Sequence, residues 1–223
     1  MEDDSDASQQ QNSEMLDLNK RSDAVEHYNA GVDFYRDKNY KDAVKEFQAA
    51  LSLEPELLEA KSNMAMTYSK MGKHKEAISS FKSVLTERPN HVISINGLAD
   101  AYFKTGQIDA AIEQWNLLLD IDPGYDLAHY NIGTSFQRKK EFEKAVEEYK
   151  KAININPSFA EAYYNLATIF EAQNDFENAY LMYQKAAMIN MRASFAEKAM
   201  KKATKLEEIL RKQNKKQKKK ESK

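Results

Sequence analysis

Four prolines, Pro55, Pro89, Pro123 and Pro157, stand at a constant interval of 34 residues, and the chain has no others. Proline removes a backbone donor and cannot continue a helix, so a proline repeated at fixed spacing divides the chain into like units. A frame opened at Ala24 gives five of them, 24–57, 58–91, 92–125, 126–159 and 160–193. The same residue classes recur inside each unit. The eighth position is small (Gly31, Ala65, Ala99, Gly133, Ala167), and the twentieth is always alanine (Ala43, Ala77, Ala111, Ala145, Ala179). The eleventh is aromatic (Phe34, Tyr68, Tyr102, Phe136, Phe170), and so is the twenty-fourth (Phe47, Phe81, Trp115, Tyr149, Tyr183). Small residues let two helices approach closely and the rings fill the space beside them.

Apolar residues within a unit are three and four apart, as in the 165–170 and 144–153 segments, which predicts two amphipathic helices per unit. Gly72, Gly106 and Asn174 fall midway, where a helix ends on a residue tolerant of left-handed backbone. Lys38 and Lys140 occupy that place in the other two units and mark the turn less clearly. Met191 replaces the proline of the fifth unit. Beyond it, Phe195, Ala199, Ala203, Leu206, Ile209 and Leu210 share one side of a charged helix over 194–212. Such a helix is expected to cap the open end of a repeat array, or else to dock onto a partner or a second copy.

The series of small, aromatic, alanine, aromatic and proline positions at this period resembles the tetratricopeptide repeat, over residues 24–193. The resemblance implies an all-α fold, a right-handed α-solenoid of five helix-turn-helix repeats, here with a C-terminal capping helix and charged tails. It also implies that the first helix of each pair lines a concave groove for protein ligands.

Three recurrences fall on that first helix. The sixth position carries Asn29, Asn63, Asn131 and Asn165, with Gly97 in the third unit beside Asn96. A carboxamide both donates and accepts, so a stack of them suits an extended peptide backbone. The pattern is similar to the asparagine ladder in the repeats of the nucleocytoplasmic glycosyltransferase, whose catalytic domain has no counterpart here. The bland reading is that these amides bond to the backbone of the neighbouring repeat. The thirteenth position carries Arg36, Lys70, Lys104 and Arg138, about two turns beyond the asparagines and so on the same face. That stripe favours an acidic or phosphorylated ligand, or simply complements the helix dipole by about 0.3–1 kcal/mol each. Tyr28, Tyr130 and Tyr164 at the fifth position offer flat contact area, with Tyr35 and Phe103 as similar candidates, against a reading as packing residues.

Co-chaperone members of the family hold a C-terminal carboxylate in a clamp of lysine, asparagine and arginine. The corresponding positions here read Tyr28, Val32, Asn63, Ile93 and Gly97 in one window and Asn96, Asp100, Asn131, Glu161 and Asn165 in another. Only the central asparagine matches, so that mode is rejected.

Composition narrows the remaining classes. With no cysteine, thiolate metal sites, disulfides and thiol nucleophiles are excluded. The four histidines lack metal-ligand spacing, and no phosphate loop or hydrolase motif occurs. No enzyme activity, cofactor, metal or small-molecule substrate is expected. The chain is 30% charged with mean hydropathy −0.76, as a thin-cored helical array should be. Its net charge of −2 conceals −5 over residues 1–23 and +7 over 211–223. Residues 1–22 are expected to be an acidic disordered arm and 213–223 a Lys-rich disordered tail. The acidic start lacks an apolar leader core and no apolar run reaches about 18 residues, so a cytoplasmic protein without a membrane span is expected. The expected function is a scaffold or adaptor holding an extended, acidic segment of a protein partner. The alternative is an assembly protein that self-associates through its ends or groove. Nucleic-acid or anionic-surface binding through the tail ranks below both, because the tail lacks interleaved aromatics.

Overall fold

A computed structural model describes residues 3–189 and 195–221, with side chains over 15–189 and 195–217. Among the described residues the elements are helices: α1 (Asp3–Arg36), α2 (Tyr40–Leu53), α3 (Leu58–Lys70), α4 (His74–Glu87), α5 (Val92–Lys104), α6 (Ile108–Ile121), α7 (Asp126–Arg138), α8 (Phe142–Ile155), α9 (Ala160–Ala172), α10 (Phe176–Ile189) and α11 (Ala196–Glu221).

The five turns inside the repeats share one geometry. Lys38, Gly72, Gly106, Lys140 and Asn174 have φ of 62, 75, 82, 63 and 62°. The residue after each donates its N–H five residues back, to the carbonyl of the eleventh-position aromatic, at 2.8–2.9 Å. This satisfies an orphan carbonyl at the helix end. Lys38 and Lys140 therefore make the turn that glycine makes elsewhere, with the strain of a Cβ in left-handed backbone. The turns between repeats are equally uniform. Glu54, Arg88 and Asn156 precede or adjoin the periodic prolines with φ near −127, −133 and −126° and ψ near 87–90°. Proline's clash with a preceding helical residue stops the second helix there.

The chain divides within α6 into two compact units, Met1–Gln114 and Trp115–Lys223. In the first, α1 packs on α2, α3 on α4, and α2 and α4 on the helices that follow them. Ala43, Phe47, Ala50 and Ala60 form one buried cluster, flanked by Tyr28, Phe34 and Leu57. A Cβ added to Gly31 would stand 2.7 Å from the Phe47 ring, so the small eighth position lets α1 and α2 close on that aromatic. In the second unit, α7 pairs with α8, α9 with α10, and α10 with α11. Ala145, Tyr149, Ala152, Leu166 and Ile169 form one buried cluster, and Tyr183, Ala186, Ala199, Ala203 and Leu206 belong to another. Thus α11 covers the outer side of α9 and α10, while Glu197, Lys198, Lys201 and Lys205 stay exposed. Phe195 and Ile209 pack on this cluster, and Leu210 is half-buried. The Met191 substitution lies outside the described residues.

Helices run into both charged ends. α1 is helical from Asp3 and α11 continues to Glu221. No Gly or Pro falls in either stretch, Gln, Glu and Lys are good helix formers, and the charges suit the dipole, acidic at the start of α1 and basic at the end of α11.

Candidate functional site

The first helices α1, α3, α5, α7 and α9 carry the predicted ligand residues. Asn63 on α3 donates its side-chain amide to the Tyr28 hydroxyl on α1 at 3.1 Å. Asn165 on α9 repeats the bond to Tyr130 on α7 at 3.1 Å, with a further contact to the Tyr149 hydroxyl at 3.3 Å. The sixth-position asparagine therefore bonds to the fifth-position tyrosine of the preceding repeat, to its side chain rather than its backbone. Each carboxamide keeps its oxygen outside the tyrosine bonds, and Asn63 also keeps a second N–H, whereas both N–H groups of Asn165 are directed at tyrosine hydroxyls. Asn29 is exposed and has no repeat before it, and Asn131 is half-buried. The ladder is interrupted at Gly97 for a steric reason, since a Cβ there would lie 2.3 Å from the Phe81 ring.

The tyrosines are half-buried and packed at a tilt or edge-on against other rings. Tyr28 lies 6.0 Å from Phe47, Tyr130 4.8 Å from Phe159 and 5.8 Å from Tyr149, and Tyr164 5.4 Å from Tyr183 and 5.8 Å from Phe195. Burial raises the Tyr130 hydroxyl above its ordinary range despite the Asn165 bond. Tyr35 packs against Tyr40 at 5.7 Å, and Phe103 is half-buried.

The cations end their helices and are exposed. Arg36 is paired with Asp33 at 2.8 Å and Lys104 with Asp100 at 2.6 Å, both within one helix. Such pairs contribute only a few tenths of a kcal/mol and open readily to another anion. Lys70 makes no ion pair with any described residue, so its charge is directly available. Arg138 ends α7.

Three features carry no mark in the repeat pattern as first read. The Tyr149 hydroxyl, pushed up to about 12 by burial, donates to Gln137 Oε1 at 2.6 Å, and Gln137 donates onward to Thr168 Oγ1 at 3.2 Å. His27 meets Glu46 and His129 meets Glu148, each at 2.7 Å, where position four faces position twenty-three of its own repeat. An open cleft also lies among α8, α9 and α10. The histidine pairs were findable, since both partners recur 102 residues apart. The cleft depends on depth and was not.

Among the described residues no group of three or more His, Asp or Glu could hold a metal ion. No described helix is long and apolar enough to cross a membrane.

Family models described as a tetratricopeptide repeat match residues 24–57, 70–131 and 160–190, and one described as a TPR repeat matches 136–174. Together they span most of the chain. Among solved structures, a crystal structure of MamA is similar with 23% identity and a TM-score of 0.66, over 73% of this chain and 95% of that one. A MamA structure from Desulfovibrio magneticus RS-1 has 19% identity and a TM-score of 0.70, over 77% and 97%. YrrB, described as a TPR protein with an unusual peptide-binding site, has 20% identity and a TM-score of 0.64, over 85% and 97%. A comparison with curated proteins gives no match.

Proposed function

Since the chain belongs to the tetratricopeptide-repeat family, we propose that it is a protein-interaction scaffold that binds an extended, acidic segment of a partner through the first helices of its repeats. The observation that carries this reading is the repeated asparagine–tyrosine bond. It fixes the rotamers of Asn63 and Asn165 while leaving an acceptor on each and a donor on Asn63, so little side-chain entropy remains to be lost on binding. Tyr28, Tyr130 and Tyr164 then position and flank the ladder rather than standing free. Arg36, Lys70, Lys104 and Arg138 supply the charge that favours acidic side chains, with Lys70 in no ion pair among the described residues. The peptide-binding site described for YrrB, a protein of similar fold, is in keeping with this reading.

Asn29, Asn131 and Lys70 lie outside the two asparagine–tyrosine bonds and are the residues to test. Affinity capture with crosslinking should recover the partner several-fold less well when all three are alanine, with unchanged helicity by circular dichroism. Equal recovery by the variant would overturn the reading.

A further inference from the structure

The cleft among α8, α9 and α10 has a volume of about 630 Å³, inside the range of about 300–1,000 Å³ usual for ligand sites. Tyr163 and Leu166 of α9 are its most buried lining and form the floor, with Ile153 of α8 and Met182 of α10 as walls. Lys150 and Lys185 stand at the rim. Neither makes an ion pair with a described residue, and the Lys185 ammonium lies 5.5 Å from the centre of the Tyr163 ring.

The repeat fold does not impose this combination. The equivalent cleft 102 residues earlier is about 340 Å³. There Ser80 and Ser83 take the places of Met182 and Lys185, and Lys61, in the place of Tyr163, is held by Glu87 at 2.6 Å and Glu56 at 3.3 Å. Both clefts are mostly apolar, but the earlier one is smaller, has serines on its α4 side and has its charge neutralised. The α8–α9–α10 cleft has its charges open.

The same chain carries a surface of the opposite character. On α1, Met15, Leu16 and Leu18 are 58, 57 and 65% exposed. Met15 and Leu18 are three apart and share a side of the helix. Glu14 and Asp17 flank them, within the segment 1–23 that carries −5. Large apolar side chains grouped in the open mark an interaction site.

We propose that the α8–α9–α10 cleft binds the acidic arm of a second copy of this chain, with Met15 and Leu18 entering between Ile153 and Met182 while Asp17 meets the rim of Lys150 and Lys185. The match is one of shape class and sign of charge: an apolar cleft with a cationic rim against an apolar pair with anionic flanks. This contact uses neither the asparagine ladder nor Lys70, so its failure leaves the first-helix reading untouched.

The test is light scattering of the full chain over a concentration series. The wild type should associate, and association should weaken at least tenfold in Met182→Glu and in Met15→Ser/Leu18→Ser. Met182 packs on two core clusters, so the exposed change Lys150→Glu/Lys185→Glu, which leaves the core alone, should weaken it as well. Adding Asp17→Lys to that variant should restore part of the association. Mixing the arm variant with the cleft variant should give a heterodimer, since each retains one intact half of the contact. Three results would each overturn the proposal. One is a monomer at every concentration up to roughly 1 mM. Another is association indifferent to all the cleft changes. The third is association lost when Lys212, Lys215 and Lys216 become Glu but kept in Lys150→Glu/Lys185→Glu, which would place the arm on the Lys-rich end of α11.

Discussion

Asn63 reaches across 35 residues of sequence to donate its amide to the hydroxyl of Tyr28, and the bond is 3.1 Å long. It ties the first helix of one repeat to the first helix of the repeat before. The same pair recurs as Asn165 and Tyr130, again at 3.1 Å. The proposed ligand ladder and a structural staple thus share residues, and substitutions there must be read for both effects.

Tyr28→Phe removes the acceptor and strands an amide N–H, which should cost about 1 kcal/mol. Tyr130→Phe should cost less, because Asn165 retains the Tyr149 hydroxyl at 3.3 Å. Urea unfolding of both variants checks the order, and equal losses would mean that the second contact contributes nothing.

Tyr149→Phe is expected to be the more damaging hydroxyl deletion. Tyr149 is fully buried and donates to Gln137 Oε1 at 2.6 Å, so its loss leaves a part-buried acceptor unpaired and disturbs the bond from Gln137 to Thr168. A loss of about 2 kcal/mol follows from such desolvation without a partner. The unfolding midpoint measures it, with Tyr68→Phe as a comparison in the first unit.

Lys140→Gly should stabilise the protein by about 0.5–1 kcal/mol. Lys140 holds φ of 63° at the turn between α7 and α8. Left-handed backbone costs a non-glycine residue about 1–2 kcal/mol, partly offset by the greater entropy glycine loses on folding. Gly106→Ala, at φ 82°, should shift stability in the opposite direction, and Gly97→Ala should destabilise by crowding the Phe81 ring instead. Thermal melts of the three variants separate the backbone effect from the packing effect.

The junction between α9 and α11 should weaken in acid. Burial pushes the Glu171 carboxyl up, but hydrogen bonds from Lys202, at 2.8 and 3.0 Å, and from the Tyr183 hydroxyl, at 2.8 Å, hold it below its ordinary value on balance. A carboxyl whose pKa is lowered by folding contributes stability that is fully present above its unfolded value, near 4.5, and is lost as pH falls through the folded one. Unfolding measured from pH 6 down to pH 3 should therefore show a smaller acid loss in Glu171→Gln than in the wild type. Parallel acid limbs would remove Glu171 from the account.

The sequence by itself determined the repeat, because its marks are local. Pro55, Pro89, Pro123 and Pro157 stop helices by backbone sterics alone, and the alanines and rings at fixed positions must face one another once two helices pair. The candidate face was legible for the same reason, since residues seven apart on a helix share a side. What each side chain does there was decided only by tertiary structure. Asn63 finds Tyr28 through the stacking of two repeats, Gly97 is required by a ring sixteen residues earlier, and the turn at Lys140 is left-handed because packing of α7 on α8 overrides a lysine's preference. The α8–α9–α10 cleft was invisible altogether. A cleft is a difference in depth among three helices, and one repeat's letters specify which residues line it without fixing how far apart the walls stand.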